Sequence, residues 1–224
     1  MPREVFDHQL RELEHSVLIL GSMVAKAVER AVESLKLRSA SLAQTIIDED
    51  QAVDALAYGL EERALLLIAT QQPMASDLRV IAAVIAIAGE LERIGDYAEG
   101  IAKVALLSLD EPPLKPLIDI PRMAELSLDM LRRSLDAFVA HDRQVAQLIW
   151  NEDDQIDALQ DQIYRELLTY MFDDPRTITR ATRLLWVAHN LERIADRVTN
   201  ICERVGFLVT GKMIEFKSAF DREI

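Results

Sequence analysis

The sequence predicts an all-α protein in which two tandem three-helix repeats form an elongated six-helix bundle. Glycine and proline are scarce, at 7 residues each among 224, whereas β-rich and α/β chains of this length need more turn residues. Apolar residues recur at intervals of three and four over most of the chain, which is the helical period. The two halves also carry the same motifs in the same order, which indicates a duplicated helical unit.

The interruptions of the apolar pattern give six helices. They cover approximately residues 6–35, 41–70, 76–107, 122–140, 142–170 and 175–208. Ser41 and Gln44 resemble a capping box at the start of the second helix. Gln72 and Pro73 end that helix, because the residue before a proline disfavours helical geometry. Helices of about 30 residues are far longer than the globular mean, so we expect them to lie side by side in a bundle.

The domain division follows from a linker and from the repeated motifs. The stretch from Asp110 to Pro121 contains four prolines, counting Pro121 itself, and is the clearest linker of the chain. Leu91–Asp96 reads Leu-Glu-Arg-Ile-Gly-Asp, and Leu-Glu-Arg-Ile-Ala-Asp recurs 100 residues later. The predicted units are a first repeat at 1–109, a linker at 110–121, a second repeat at 122–209 and a C-terminal tail at 210–224.

Composition excludes several classes of protein. The net charge of −13 and the lack of a Lys/Arg stripe argue against nucleic acid as a partner. The single cysteine, Cys202, excludes an intramolecular disulfide and a cysteine-based zinc site. The N-terminal residues contain no apolar signal core, and the longest apolar run, Val80–Gly89, is too short to cross a bilayer. We therefore expect a soluble, cytoplasmic protein.

Acidic side chains occupy matched positions in the two halves. On the third and sixth predicted helices, an i, i+4 acidic pair lies one residue behind the apolar stripe and therefore shares one flank. On the second and fifth helices, an aspartate stands in an apolar position and another follows at i+4. The eight residues are Glu92, Asp96, Glu192, Asp196, Asp50, Asp54, Asp153 and Asp157.

Antiparallel pairing would bring these acids to one level. In the first half, Asp54 with Glu92 and Asp50 with Asp96 both have their sequence midpoint at Pro73. In the second half, the midpoint of the corresponding acids falls between Asp174 and Pro175. Four carboxylates at one level repel each other unless they are protonated, paired with arginine or bridged by a cation. All-oxygen ligands suit hard cations, so the sequence predicts divalent or multinuclear sites for iron, Mn, Mg or Ca.

Basic side chains near these acids have alternative interpretations. Arg93 and Arg193 could neutralise the acids as salt-bridge partners, or they could hold an anion such as phosphate together with Arg79 and Arg183. Neutralisation of nearby acids is the more common role of such arginines. His189 lies beside the motif of the sixth helix, where an interface or solvated histidine is more common than a metal ligand.

The duplicated Leu-Glu-Arg-Ile-(Gly/Ala)-Asp motif, with Pro-Met-Ala-Ser-Asp-Leu-Arg at Pro73–Arg79, resembles the PhoU family. The resemblance spans Phe6 to Leu208 and implies a cytoplasmic six-helix protein of two PhoU repeats. Some members bind multinuclear metal clusters through such motifs, which implies a metal role for the matching residues here. The family usually carries Asn where Gly100 stands; Asn200 keeps it in the second half.

The resemblance also implies a role. Members of the family are accessory regulators of the Pst phosphate transporter and restrain phosphate uptake. They are thought to connect its ATPase with the phosphate-sensing histidine kinase, so that starvation genes stay off when phosphate is plentiful. The implied protein is not an enzyme and meets the membrane only through these partners. Long apolar faces with few aromatic residues favour a homodimer.

Two other functions stay open on the residues alone. A carboxylate-bridged di-iron enzyme would also use a helical bundle, but such enzymes carry Glu-x-x-His, and Gly95 and Ala195 stand in the histidine positions. A metal-free helical adaptor would use its acids only for solvation.

Overall fold

The computed structural model describes residues 2–213 and residue 216, and it contains no strand among them. The helices are α1 (Pro2–Leu37), α2 (Ala40–Gln71), α3 (Ala75–Leu107), α4 (Asp119–Ala140), α5 (Arg143–Trp150), α6 (Asp153–Asp173) and α7 (Ile178–Thr210), with a 3-10 turn at Pro175–Thr177 before α7. The predicted all-α class is thereby confirmed.

The two helical units pack against each other mainly through α3 of the first unit and α7 of the second. Helices α1, α2 and α3 contact one another, α7 contacts α4, α5 and α6, and α3 lies along α7. The predicted apolar stripes of α3 and α7 form the centre of the core. The buried residues of these stripes are Val84, Ile87, Leu91, Ile94, Ala98, Ile101, Leu184, Val187, Leu191, Ile194, Val198 and Ile201.

The fifth predicted helix, at 142–170, is interrupted. Asn151 and Glu152 form a turn, so that α5 and α6 together occupy the place of one helix. Arg133 of α4 donates two hydrogen bonds of 2.7 and 2.8 Å to the carboxylate of Glu152. This fork binds the carboxylate at the break, which therefore depends on a contact with another helix.

The start of α2 also differs from the prediction. Its N-cap is Ser39, whose hydroxyl accepts a hydrogen bond from the Leu42 amide at 3.3 Å. Ser41 therefore lies inside the helix, and Gln44 donates to Asp48 at 2.9 Å instead of completing a capping box. The predicted capping box at Ser41 was therefore wrong: the helix begins two residues earlier, and the sequence alone does not distinguish Ser39 from Ser41 because serine is a favoured N-cap at either position.

The linker and the tail are partly helical at their edges. The non-helical segment covers 108–118, and Pro121 lies in the first turn of α4. Gly211 ends α7 with a φ of 70°, a conformation in which glycine is favoured. Phe216 is buried and its ring lies 6.1 Å from that of Trp150. The rest of the predicted tail after 213 lies outside the described residues, and the four-part domain division stays a prediction.

Across the described part of the chain, none of the helices combines the length and the apolar character needed to span a membrane.

Candidate metal centre

The α2–α3 hairpin brings three of the predicted acids together. Asp50, Asp54 and Asp96 each place one carboxylate oxygen within 4.8 Å of the other two. Glu92 lies one turn from Asp96 on α3, and its carboxylate accepts a long hydrogen bond of 3.5 Å from the Tyr58 hydroxyl of α2. This arrangement is the one that the common midpoint at Pro73 predicts, with residues equidistant from the turn at one level.

A glycine permits this close approach of the two helices. A Cβ atom on Gly95 would lie 3.0 Å from Cγ1 of Val53 and 3.2 Å from Oδ1 of Asp50. Both distances are shorter than ordinary van der Waals contacts of carbon. The absence of a side chain at Gly95 therefore lets α2 place Asp50 directly over α3.

The electrostatics of the first hairpin favour proton or cation binding. The pKa of Asp50 is raised to about 6, first by burial and then by the charges of Asp54, Glu99 and Asp96. Burial is also the main cause that raises the pKa of Glu92 and of Asp96, and neighbouring acids add to it in both cases. The acids of this hairpin therefore carry mutual repulsion that a divalent cation would relieve.

The second hairpin shows the same electrostatic pattern. The pKa of Asp153 is raised to about 7, first by burial and then by the charges of Asp157, Asp196 and Glu192. Burial and Asp196 likewise raise the pKa of Asp157 and of Glu192. The four predicted acids of this half therefore share one environment. Among the described residues, however, only Asp50, Asp54 and Asp96 of the first half form a triad whose carboxylate oxygens lie within 4.8 Å of one another.

Three carboxylate oxygens at these levels are buried and form no hydrogen bond: Oδ1 of Asp54, Oδ1 of Asp153 and Oε2 of Glu192. A buried polar atom without a partner is costly, and a bound cation would satisfy it. The donor set consists of carboxylates, which suits Mg, Mn, Ca or iron. The residues therefore fit the predicted cation, and their role as ligands stays a prediction.

The two equivalent arginines, Arg93 and Arg193, pair with different acids in the two halves. Nη1 of Arg193 lies 2.5 Å from Oδ2 of Asp196 and 3.9 Å from Oε1 of Glu192. Its counterpart, Arg93, instead contacts Oε1 of Glu90 at 3.0 Å. The second set of acids is thus in direct contact with an arginine, whereas Arg93 pairs with Glu90 and acts on the first set only through its charge, which opposes the rise in the pKa of Glu92 and of Asp96. His189 places Nδ1 3.4 Å from Oε2 of Glu192, close to that unbonded oxygen.

The sequence did not single out Glu90, a buried acid at the contact between α3 and α7. Its carboxylate receives hydrogen bonds from Arg93 at 3.0 Å, from Arg197 at 3.3 Å and from Asn200 at 3.2 Å. A usable signal was present, because Glu90 directly follows the longest apolar run and precedes a stripe residue. A charge in that position needs partners, and the opposite helix supplies two of them.

A family model described as the PhoU domain matches this chain twice, over residues 17–105 and 120–205. The chain belongs to the PhoU family. The two matches fall on α1–α3 and on α4–α7, and each contains one set of the acids described above.

Curated relatives agree with the PhoU assignment over nearly the whole chain. A "phosphate-specific transport system accessory protein PhoU homolog" of Caulobacter vibrioides is 40% identical over 208 residues, covering 92% of this chain and 90% of the relative. The protein of the same description from Aquifex aeolicus is 38% identical over 207 residues, covering 92% and 94%.

Solved PhoU structures share the fold. The phosphate transport system regulatory protein PhoU from Streptococcus pneumoniae superposes with a TM-score of 0.88 at 34% identity, covering 94% of this chain and 99% of that one. PhoU from Pseudomonas aeruginosa gives a TM-score of 0.88 at 32% identity, covering 92% and 100%. The predicted pair of three-helix repeats is therefore confirmed.

Proposed function

We propose that this PhoU-family protein is a negative regulator of phosphate uptake and of phosphate-starvation signalling. The observation that carries the proposal is the double PhoU-domain match, with relatives named for the phosphate-specific transport system at up to 40% identity over 92% of the chain. In this role the protein is cytoplasmic and not an enzyme. It links the ATPase of the Pst transporter to the phosphate-sensing histidine kinase and reaches the membrane only through them.

Exposed apolar side chains support an adaptor role. Phe172 is 82% exposed, and Leu66 and Trp186 are 62% and 59% exposed. Large apolar groups in solvent are common sites of protein association. They are candidates for partner contacts and for the homodimer that we propose, since a symmetric dimer buries the same residues on both copies.

The second part of the proposal is that each hairpin holds a divalent or multinuclear metal site. In the first, the ligands are Asp50, Asp54, Glu92 and Asp96. In the second, they are Asp153, Asp157, Glu192 and Asp196. The support is the level arrangement of the first set, the raised pKa values in both sets and the buried oxygens that accept no hydrogen bond.

A deletion strain tests the regulatory role. Without this protein, phosphate uptake and the starvation response should stay on when external phosphate is abundant, and the wild-type gene should restore repression. Uptake of labelled phosphate and a reporter of a starvation promoter are the readouts. Normal repression of both in the deletion strain would contradict the proposal.

Metal analysis tests the sites separately from the regulatory role. Protein purified without an affinity tag or chelator should contain metal in elemental analysis. Glu192→Gln with Asp196→Asn should abolish binding in the second hairpin and leave the first intact. The double variant should also lose the stabilisation that a bound metal gives to the folded state. Unchanged metal content with a higher melting temperature would show a repelling acid cluster and no metal site.

Light scattering tests the dimer. At micromolar concentration the molar mass should be twice the 25.3 kDa of the chain. A monomeric mass at that concentration would contradict the homodimer.

A further inference from the structure

A cavity of about 260 Å³ lies where the non-helical linker meets the ends of three helices. The linker residues 111–117 form one side. The C-terminal ends of α1 and α3 and the N-terminal end of α7 form the other sides. The cavity uses residues from both PhoU repeats and none of the eight acids discussed above.

The walls of the cavity are mainly apolar. Three prolines of the linker contribute to them, and the other apolar side chains in contact with the cavity are Leu35, Ala105, Leu114, Leu117 and Leu184. Pockets for drug-sized ligands range from roughly 300 to 1,000 Å³, so this cavity is slightly smaller than that range. An α-helix with its side chains is about 10 Å wide, so a partner helix does not fit. The volume suits a molecule of roughly ten to fifteen heavy atoms.

The charge balance at the cavity is the reverse of that of the whole chain. The chain has 38 acidic and 25 basic residues, but the cavity lining includes Lys36, Arg38, Lys115 and Arg180 against the single acid Glu111. Lys115 is compensated, because it pairs with Glu166 and lies 3.6 Å from Asp119. The other three basic residues carry the excess of positive charge.

These remaining cations have fewer acidic partners than their number requires. Arg38 donates to two neutral backbone carbonyls of the linker, those of Leu109 and Glu111. Arg180 and Arg183 share the one carboxylate of Glu111, at 3.6 and 3.1 Å.

Two basic side chains here are incompletely paired. Among the described residues, Lys36 has neither a hydrogen bond nor an ion pair, and it is exposed at the cavity mouth. Nε of Arg180 is buried and donates no hydrogen bond, since the Glu111 carboxylate is 3.6 Å away, while Nη1 donates to the Pro112 carbonyl at 3.2 Å. An anionic group at the cavity would supply what these cations lack.

We infer that this cavity is a binding site for a small amphipathic anion, an apolar body of about ten heavy atoms with one anionic head group. The head group binds near Lys36 and Arg180, and the apolar body packs against the leucines. The site is independent of the proposed metal sites. Because it joins the linker to helices of both repeats, an occupied site would hold the two repeats together at this end.

Decanoate is a suitable probe, with decan-1-ol and acetate as matched controls. Isothermal titration calorimetry on the full chain should show one decanoate site per chain, with decan-1-ol at least about tenfold weaker because it lacks the charge. Acetate should bind too weakly to measure, because it lacks the apolar body. Equal binding of decanoate and decan-1-ol, or no binding of decanoate, would overturn the inference.

Variants locate the site. Lys36→Gln should weaken decanoate about three- to fivefold, as expected for one exposed ion pair, and leave decan-1-ol unchanged. Lys26→Gln, an exposed lysine of the same helix outside the cavity lining, is the control and should change neither. Ser108→Leu should fill the cavity and abolish binding, with circular dichroism as a check of folding. If Ser108→Leu does not fold, the Lys36→Gln pair decides alone, and unchanged decanoate binding in Lys36→Gln overturns the site.

The same titration on Glu192→Gln with Asp196→Asn separates this inference from the proposed function. That variant should bind decanoate as the wild type does, because none of its changed residues lines the cavity. Loss of decanoate binding there would place the ligand at the acids and would overturn the cavity as its site.

Discussion

Asn200 of α7 donates a hydrogen bond of 3.2 Å to Oε2 of Glu90 on α3, and so joins the two PhoU repeats. The repeat shift of 100 residues relates this pair to Asn190 and Gly100. Those two residues are also neighbours, because a Cβ on Gly100 would lie 2.9 Å from the amide nitrogen of Asn190. The contact between α3 and α7 is therefore pseudo-twofold, and the two sides differ in that one carries a buried carboxylate.

Glu90→Ala should destabilise the protein by about 3 kcal/mol. The variant leaves Arg197, which is 17% exposed, without its carboxylate partner at the helix contact. Removal of one partner from a buried pair is costly because the other charge stays unpaired. Urea unfolding monitored by circular dichroism measures the free energy of unfolding.

The matched control is Glu49→Ala. Glu49 pairs with Arg30 but is 58% exposed, so its loss should cost less than about 1 kcal/mol. Equal losses in the two variants would show that the Glu90 network contributes no more than a surface pair.

Gly95→Val should destabilise the first hairpin by about 1 to 3 kcal/mol and weaken metal binding there. The added side chain would press on Val53 and Asp50, which already lie 3.0 and 3.2 Å from the Cβ position. Thermal unfolding of chelated protein and a metal titration are the two measurements.

Gly59→Ala provides the control of opposite sign. It lies on α2, and a Cβ there meets no atom within 4 Å. Alanine in a helix interior is favoured over glycine by about 0.5 to 1 kcal/mol, so this variant should be more stable. A gain in stability for Gly95→Val would mean that the close approach of Asp50 does not depend on the glycine.

The fold was predictable where the pattern is local. The apolar stripes of α3 and α7 fix the period and the buried face, and Pro73 fixes the first hairpin. The break at Asn151 and Glu152 was not predictable, because no glycine or proline marks it and its carboxylate is held by Arg133 of another helix. Tertiary contacts of this kind override helix propensity without a trace in the local sequence.

The candidate site divides in the same way. The sequence predicts that Asp50 and Asp96 lie opposite each other, because both are equally far from the turn at Pro73. The contacts of the arginines were not predicted: Arg93 and Arg193 occupy equivalent positions, but Arg93 contacts Glu90 and Arg193 contacts Asp196. A flexible side chain selects among the acids in reach, and the counterpart of Glu90 in the second half is Asn190, which offers Arg193 no carboxylate.

Stability should depend on pH in the metal-free protein. The pKa of Asp50 is raised to about 6 and that of Asp153 to about 7, both mainly by burial, from an ordinary value of 3.8. The folded state therefore holds these protons more tightly than the unfolded state, so the free energy of unfolding falls as pH rises from about 4 to about 7. Denaturant unfolding in chelator across this range should show the fall, and saturating Mn should reduce it.

Asp153→Asn isolates the contribution of one residue. In chelator it should be more stable than the wild type at about pH 8 and nearly equal to it at about pH 5, where Asp153 is already protonated. Asp174→Asn is the contrast, because hydrogen bonds from Arg176 lower the pKa of Asp174 and favour its charged form. That variant should gain no stability at about pH 8; a gain equal to that of Asp153→Asn would show a general effect of net charge.

Arg193→Gln should tighten divalent binding at the second hairpin. Arg193 lies 2.5 Å from Asp196, so a cation that binds there has to displace it, and removal of the guanidinium removes this competition. A charge-assisted hydrogen bond contributes about 1.5 kcal/mol or more when buried, and solvent weakens it here, so the expected gain in affinity is about three- to tenfold.

Arg93→Gln is the matched control. Arg93 forms its ion pair with Glu90 and acts on Glu92 and Asp96 only through its charge, so that variant should change first-hairpin affinity less than Arg193→Gln changes second-hairpin affinity. Calorimetric titration with Mn into chelated protein measures both, with the opposite hairpin neutralised by paired amide substitutions so that one site is observed at a time. Weaker second-hairpin binding in Arg193→Gln would show instead that the arginine positions Asp196 for the metal.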